Sequence, residues 1–148
     1  LALATLLLYG GKGAIAVLIA YAMGWRPEVA GAAAFLGHCY PVWLKFKGGK
    51  GVATFMGTLF ALSFPAGIFA GAIWLAVAFV LKYSSLAALT AAAAMPLVMF
   101  AMGKPAFAAA TLFMAALIFI RHQSNISRLL AGKEPKIGAK KEAAEAGA

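Results

Sequence analysis

The run from His38 to Gly51, His-Cys-Tyr-Pro-Val-Trp-Leu-Lys-Phe-Lys-Gly-Gly-Lys-Gly, sets Lys45, Lys47 and Lys50 beside Gly48, Gly49 and Gly51. A glycine leaves its backbone N–H without a side chain over it, and such groups next to an ammonium suit a bound phosphate. His38 opens the run, either as a ligand-facing imidazole or as an interfacial side chain with local partners. A second cluster, Arg121-His122-Gln123-Ser124-Asn125-Ile126-Ser127-Arg128, carries two permanent cations and two neutral hydrogen-bonding groups. If one helix runs through it, 100° per residue puts Arg121, His122, Asn125 and Arg128 within an arc of about 120°. The alternative is that the arginines anchor a helix end at a membrane surface while His122 and Asn125 cap it. Lys82-Tyr83-Ser84-Ser85 offers a third cation with two hydroxyls, or equally a basic flank and a serine N-cap.

The residues that are missing narrow the chemistry. There is no aspartate, and Glu28, Glu134, Glu142 and Glu145 are the four acids. Paired carboxylate catalysis and a two-metal phosphoryl-transfer site are therefore excluded, and two histidines with one usable carboxylate argue against a zinc site. Gly13 and Gly51 stand where a P-loop needs Ser or Thr, which argues against ATP hydrolysis. Cys39 reads as a packed small residue rather than an acyl-carrying thiolate. Taken together, the loops suit one pocket for a phosphate-bearing substrate. A phosphate leaving group needs no strong protein acid to expel it, so Lys, Arg and backbone donors could do most of the work.

The elements that must position these groups are membrane helices. The chain is 64% hydrophobic and 11% charged with a mean hydropathy of +0.92, far from the roughly 25% charged residues of soluble domains. Apolar runs at 1–24, 29–40, 52–64, 66–81, 86–102 and 106–120 predict an all-α polytopic bundle of about six spanning or partly spanning helices. The run at 29–40 would rise only about 18 Å as a helix, so the lysine loop is expected to lie recessed below the headgroups. Alternating spans gather Lys45, Lys47, Lys50, Lys82, Arg121, Arg128, Lys133, Lys136, Lys140 and Lys141 on one side, leaving Arg26 and Lys104 on the other. By the positive-inside rule the first side is cytoplasmic. Lys12 falls at a helix start or inside a span, where it would need an inward-facing partner. Gly67 and Gly71, four apart, predict close helix packing within the bundle rather than dimerisation. Gly10 to Gly13 and Gly48 to Gly51 share Gly-Gly-Lys-Gly, but their flanks differ and no duplication is assigned. Residues 138–148 read as a loose, disordered tail after a single domain at 1–137.

Gly37-His38-Cys39-Tyr40-Pro41 followed by Phe46-Lys47-Gly48-Gly49-Lys50-Gly51-Val52-Ala53-Thr54 resembles the second motif of the bacterial acyl-phosphate-dependent glycerol-3-phosphate acyltransferases, the PlsY family, with Tyr40 in place of Phe. Arg121-His122-x-x-Asn125-Ile126-x-Arg128-Leu129, then Gly132 and Glu134, resembles the third motif, and Lys82-Tyr83-Ser84-Ser85 the segment between. The family's first motif has no counterpart, so the chain is expected to be an N-terminally truncated form lacking the first helix. Tyr9 stands where the family carries an aspartate three residues before Lys12. The resemblance implies transfer of a fatty acyl group from acyl phosphate to the 1-hydroxyl of sn-glycerol 3-phosphate, in a bacterial inner membrane with the site facing the cytoplasm. It implies catalytic roles for His122, Asn125 and Lys50, and phosphate or substrate binding by His38, Lys47, Gly48, Gly49, Gly51, Thr54, Ser84, Ser85, Arg121 and Arg128. Glu134 would be structural. No metal, cofactor or nucleic acid is implied; the partners are the two substrates, the bilayer and an upstream acyl-phosphate-producing enzyme. A transporter for a phosphorylated metabolite, or a non-catalytic protein binding anionic lipid through its basic face, are the rival readings.

Overall fold

The computed structural model describes residues 2–139, so the expected tail at 138–148 lies outside the described residues from residue 140 on. Six helices follow in order: α1 (Ala2–Ala22), α2 (Pro27–Cys39), α3 (Val52–Leu62), α4 (Phe64–Leu81), α5 (Ser84–Ala101) and α6 (Pro105–Arg121). A short α7 (Gln123–Leu130) and a 3-10 turn, Val42–Leu44, complete the described elements. The expected runs thus appear as helices whose ends differ by a few residues. Proline sets the start of α2, α4 and α6, where a missing N–H costs nothing. Gly24 and Gly103 end α1 and α5 in the left-handed conformation, with φ of 67° and 71°.

The helices close into a ring: α1 packs on α2 and α3, α3 on α4, α4 on α5, α5 on α6, and α6 returns to α2. Small side chains fill much of the interior, among them Ala66, Ala70, Ala87, Ala91, Ala92 and Ala115, together with Phe35, Phe55, Leu59, Met95, Met99, Met114 and Ile118. Large apolar side chains point outward instead, with Phe79 77%, Leu97 74% and Phe100 69% exposed. Water would not tolerate that arrangement, but a bilayer does, since lipid solvates Phe and Leu while small residues let backbones approach. Among the described residues three helices are long and apolar enough to cross a membrane, and a fourth is if α6 and α7 form one bent span.

The α1–α3 seam has the closest approach. A Cβ on Gly57 would collide with the backbone of Gly10, and one on Gly13 would come within 2.8 Å of the Thr54 carbonyl. Thr54 is fully buried and donates to the Tyr9 carbonyl at 3.0 Å, pinning α3 to α1. Gly67 packs on the Phe60 ring of α3 as expected for bundle packing, whereas a Cβ on Gly71 would meet nothing within 4 Å, because Gly71 lines a cavity instead of a helix contact. Gly57→Leu is expected to lower stability by about 1–3 kcal/mol or more through overpacking. A thermal melt in detergent checks this; an unchanged Tm would mean that the seam can open without cost.

Candidate active site

Residues 40–51 fold back from the end of α2 to the start of α3 in a tight loop. Lys45 and Phe46 both take left-handed φ, 51° and 62°, an uncommon consecutive pair for residues with side chains. Gly51 reaches φ 82°, and a Cβ there would strike the Phe35 ring, so only glycine fits at this N-cap. At Gly48 a Cβ would collide with the carbonyls of His38 and Cys39. The glycine strand therefore lies flat on the end of α2. Arg121 crosses from α6 and donates to the carbonyls of Gly48 and Gly49, with its guanidinium over the Tyr40 ring at 5.2 Å. Among the described residues, none of Gly48, Gly49, Lys50 and Gly51 donates its N–H to a backbone carbonyl. The carbonyls of Gly48 and Gly49 are thus engaged while the exposed N–H groups of Gly49 and Lys50 make no backbone hydrogen bond, which suits an anion.

Lys50 leaves this strand and donates from Nζ to Asn125 Oδ1 at 2.7 Å. Asn125 Nδ2 donates to Glu134 Oε1 at 2.6 Å, Ser85 Oγ to the same oxygen at 2.6 Å, and Arg128 Nε to Oε2 at 2.7 Å. An ammonium only donates and a carboxylate only accepts, so the amide orientation of Asn125 is fixed from both ends. Lys50 keeps further N–H donors for a ligand. Burial works to raise the Glu134 pKa, but the donors Ser85, Asn125 and Arg128 outweigh it and hold the carboxyl down to about 2.

His122 sits in the break between α6 and α7, which bend by 64°. Its Nδ1 lies 2.8 Å from the Ile118 carbonyl. Because a carbonyl can only accept, Nδ1 carries the hydrogen, and the neutral ring presents Nε2 as an acceptor. Burial lowers its pKa below the usual histidine value, opposed by the Ile118 hydrogen bond and reinforced by Lys50. The imidazole is therefore neutral at pH 7.

A cavity of about 1000 Å³ joins these groups. Lys50, Ser84, Ser85, His122, Asn125 and Glu134 border its polar end. Its apolar arm runs between α1, α3 and α4 past Gly10, Gly11, Met56, Gly57, Phe60, Gly71 and Trp74. Sequence reasoning missed this arm because its glycines belong to three helices whose shared side emerges only on packing.

The expected single pocket is corrected in two respects. The helix does not continue straight through residues 121–128, so the arc drawn on one helix fails at the bend, and Arg121 turns to the glycine strand while Asn125 faces the cavity. Moreover His38, Lys47, Gly48 and Gly49 border a second cavity on the other side of the strand. Gly51 and Thr54 are buried in packing, and Arg128 is held by Glu134.

A family model described as glycerol-3-phosphate acyltransferase matches residues 1–132. A glycerol-3-phosphate acyltransferase of Dinoroseobacter shibae is 56% identical over 142 residues, covering 95% of this chain and 70% of that one. One of Caulobacter vibrioides is 57% identical over 151 residues, covering 99% and 69%. A crystal structure of PlsY, an integral membrane glycerol 3-phosphate acyltransferase in its glycerol 3-phosphate form, superposes with a TM-score of 0.87 at 38% identity, covering 94% of this chain and 72% of that one.

The Glu134 carboxylate titrates lower in the folded chain than its ordinary value of about 4.3. Its network thus stabilises fully above that value and fades as pH falls toward 2. Glu134→Gln is expected to lower the Tm at neutral pH and to flatten its decline in acid, with the two proteins converging at low pH. Parallel acid dependence in both proteins would remove Glu134 from the account.

Proposed function

From membership of the glycerol-3-phosphate acyltransferase family, to which this chain belongs, we infer that it is an integral-membrane enzyme moving an acyl group onto glycerol 3-phosphate, and we propose acyl phosphate as the donor. The single observation that carries the residue assignment is the meeting of Lys50, Asn125 and His122 at the polar mouth of an apolar groove. That junction offers a cation and a neutral base beside a place for an acyl chain.

In this reading the chain of the donor lies in the arm past Gly57 and Phe60, and its phosphate reaches the Lys50 ammonium at the polar end. His122 Nε2 accepts the proton of the 1-hydroxyl of glycerol 3-phosphate as that oxygen attacks the acyl carbon. The carbon–oxygen bond to phosphate breaks, the phosphate leaves with the electron pair, and the proton passes from His122 to it. Lysophosphatidic acid and inorganic phosphate result. Asn125 holds the Lys50 ammonium in place, Glu134 orients Asn125, and Arg121 holds the strand from behind. Ser84 is free to meet a phosphate at the mouth, whereas Ser85 serves Glu134. A bacterial inner membrane with this mouth on the cytoplasmic side fits the basic residues around it. A soluble or peripheral enzyme that makes acyl phosphate would then supply the donor from that side.

Lys50→Ala is expected to reduce kcat about 100-fold or more, the scale of a lost transition-state donor. His122→Ala should lose about 100- to 10,000-fold. The assay is acyl-phosphate-dependent acylation of glycerol 3-phosphate in membranes; retained activity in both variants would refute the assignment. Because His122 must be neutral and its pKa lies below the usual value of about 6.5, kcat/KM should be level at neutral pH and fall only on the acid side of 6.5. Phe60→Ala should shift preference toward longer chains, each added buried CH₂ contributing about 0.8 kcal/mol. A chain-length profile identical to that of the parent would move the acyl chain elsewhere.

A further inference from the structure

The second cavity, of about 610 Å³, is bordered by Lys12, His38, Lys47, Gly48 and Gly49, with Trp43 at its rim. Lys12 lies within α1, in a stretch apolar enough to cross a membrane. An ammonium at that depth costs about 2.5–3.5 kcal/mol and is ordinarily paired. Among the described residues the ion pairs are Arg26 with Glu28 and Arg128 with Glu134, and neither carboxylate borders this cavity. What Lys12 meets is the Tyr9 ring at 5.3 Å, itself stacked edge-on against His38 at 5.0 Å. Two ammonium groups thus face one cavity that holds no countercharge, and Arg121 adds a third cation behind the glycine wall.

The rim is of the opposite character. The turn after Pro41 presents Val42, Trp43, Leu44 and Phe46, which are 69%, 78%, 54% and 57% exposed. The loop is also recessed: Tyr9 stacks on His38 at the end of α2, so residues 2–8 of α1 extend about 10 Å past that level. A cationic floor below an apolar collar matches a molecule with a phosphate head and a hydrocarbon tail better than a free ion, which would gain nothing from Trp43 and Leu44.

We propose that this second cavity binds a phosphate-headed membrane lipid, its head between Lys12 and Lys47 and its tail along Trp43 and Leu44. The site is distinct from the reaction assigned to the first cavity. Gly48 and Gly49 form the wall toward Lys50, so an occupant braces the strand that carries it.

The test uses the chain in lipid nanodiscs with Trp43 as its sole tryptophan, through Trp25→Phe and Trp74→Phe. Phosphatidic acid brominated on its acyl chains should quench Trp43 saturably at low mole fraction, and brominated phosphatidylcholine only in proportion to its amount. Lys12→Gln with Lys47→Gln should weaken the saturable phase about thirtyfold, the scale of two juxtamembrane lysines. The Lys12→Arg, Lys47→Arg pair should retain it, which controls for folding. Lys50→Ala should leave it intact. Equal quenching by both lipids, loss in Lys50→Ala but not in the glutamine pair, or displacement of the lipid by an equal concentration of inorganic phosphate would each overturn the proposal. The Lys50→Ala arm separates failure of this site from failure of the reaction assigned to the first.

Discussion

The Glu134 carboxylate is the point on which the polar end of the molecule depends. Its side chain is 6% exposed, yet it stays ionised because both oxygens accept strong donors. A carboxylate buried without partners would cost several kcal/mol, so the fully satisfied arrangement has no comfortable partial form. It ties the start of α5, through Ser85, to Asn125 and Arg128 in α7 and to the segment after α7 that carries Glu134 itself. Through Asn125 the constraint reaches Lys50, 75 residues earlier in the chain. The position of the Lys50 ammonium is thus set by a carboxylate that it does not touch.

This arrangement works only because the surrounding bundle is packed for lipid. Small residues inside allow α1 and α3 to touch through Gly10 and Gly57, and glycines on α1, α3 and α4 leave a groove rather than a filled core. The same lack of side chains that permits close approach at one level leaves space at another. On the proposed function, an acyl chain in that groove would supply the packing that side chains otherwise provide, and dispersion contacts distributed along it would favour chains that fit its length.

The helical skeleton was legible because hydropathy alone marks a segment for the bilayer. The runs at 86–102 and 106–120 became Ser84–Ala101 and Pro105–Arg121, the shifts being set by a serine-led start and an N-terminal proline that hydropathy does not weigh. The site was legible in its residue types, since Lys50, His122 and Asn125 do share a cavity. Its geometry was not. A straight helix through 121–128 is the default for that pattern, and nothing in Arg121-His122-Gln123 announces a 64° bend. The bend accompanies contacts that the local pattern does not announce: the His122 ring turns back on the Ile118 carbonyl, which also accepts the His122 N–H, and Arg121 reaches the carbonyls of Gly48 and Gly49. Nor could the pattern reveal that Lys47 and Lys50, three apart, would face different cavities, because a strand in extended and left-handed conformations has no fixed angular period.

That division gives the glycine strand a reason to be glycine apart from any ligand. Gly48 must lie against the carbonyls of His38 and Cys39, and Gly51 must take φ 82° beside Phe35. Between them the backbone is a wall one residue thick, with basic groups on both sides and Arg121 clamping its oxygens. Side chains there would fill one cavity or the other, or push the wall off α2 and carry Lys50 away from Asn125. Cation–cation repulsion across so thin a wall is unfavourable unless each side receives an anion, because the Coulomb energy scales inversely with the distance and the local dielectric. On the proposed function, the first cavity takes up its anions as substrates and releases them as products in every turnover. A lysine pair on the far side that retained its own anion throughout would keep the wall from collapsing in either direction, so that the cycle of charge on one face leaves the position of Lys50 unchanged.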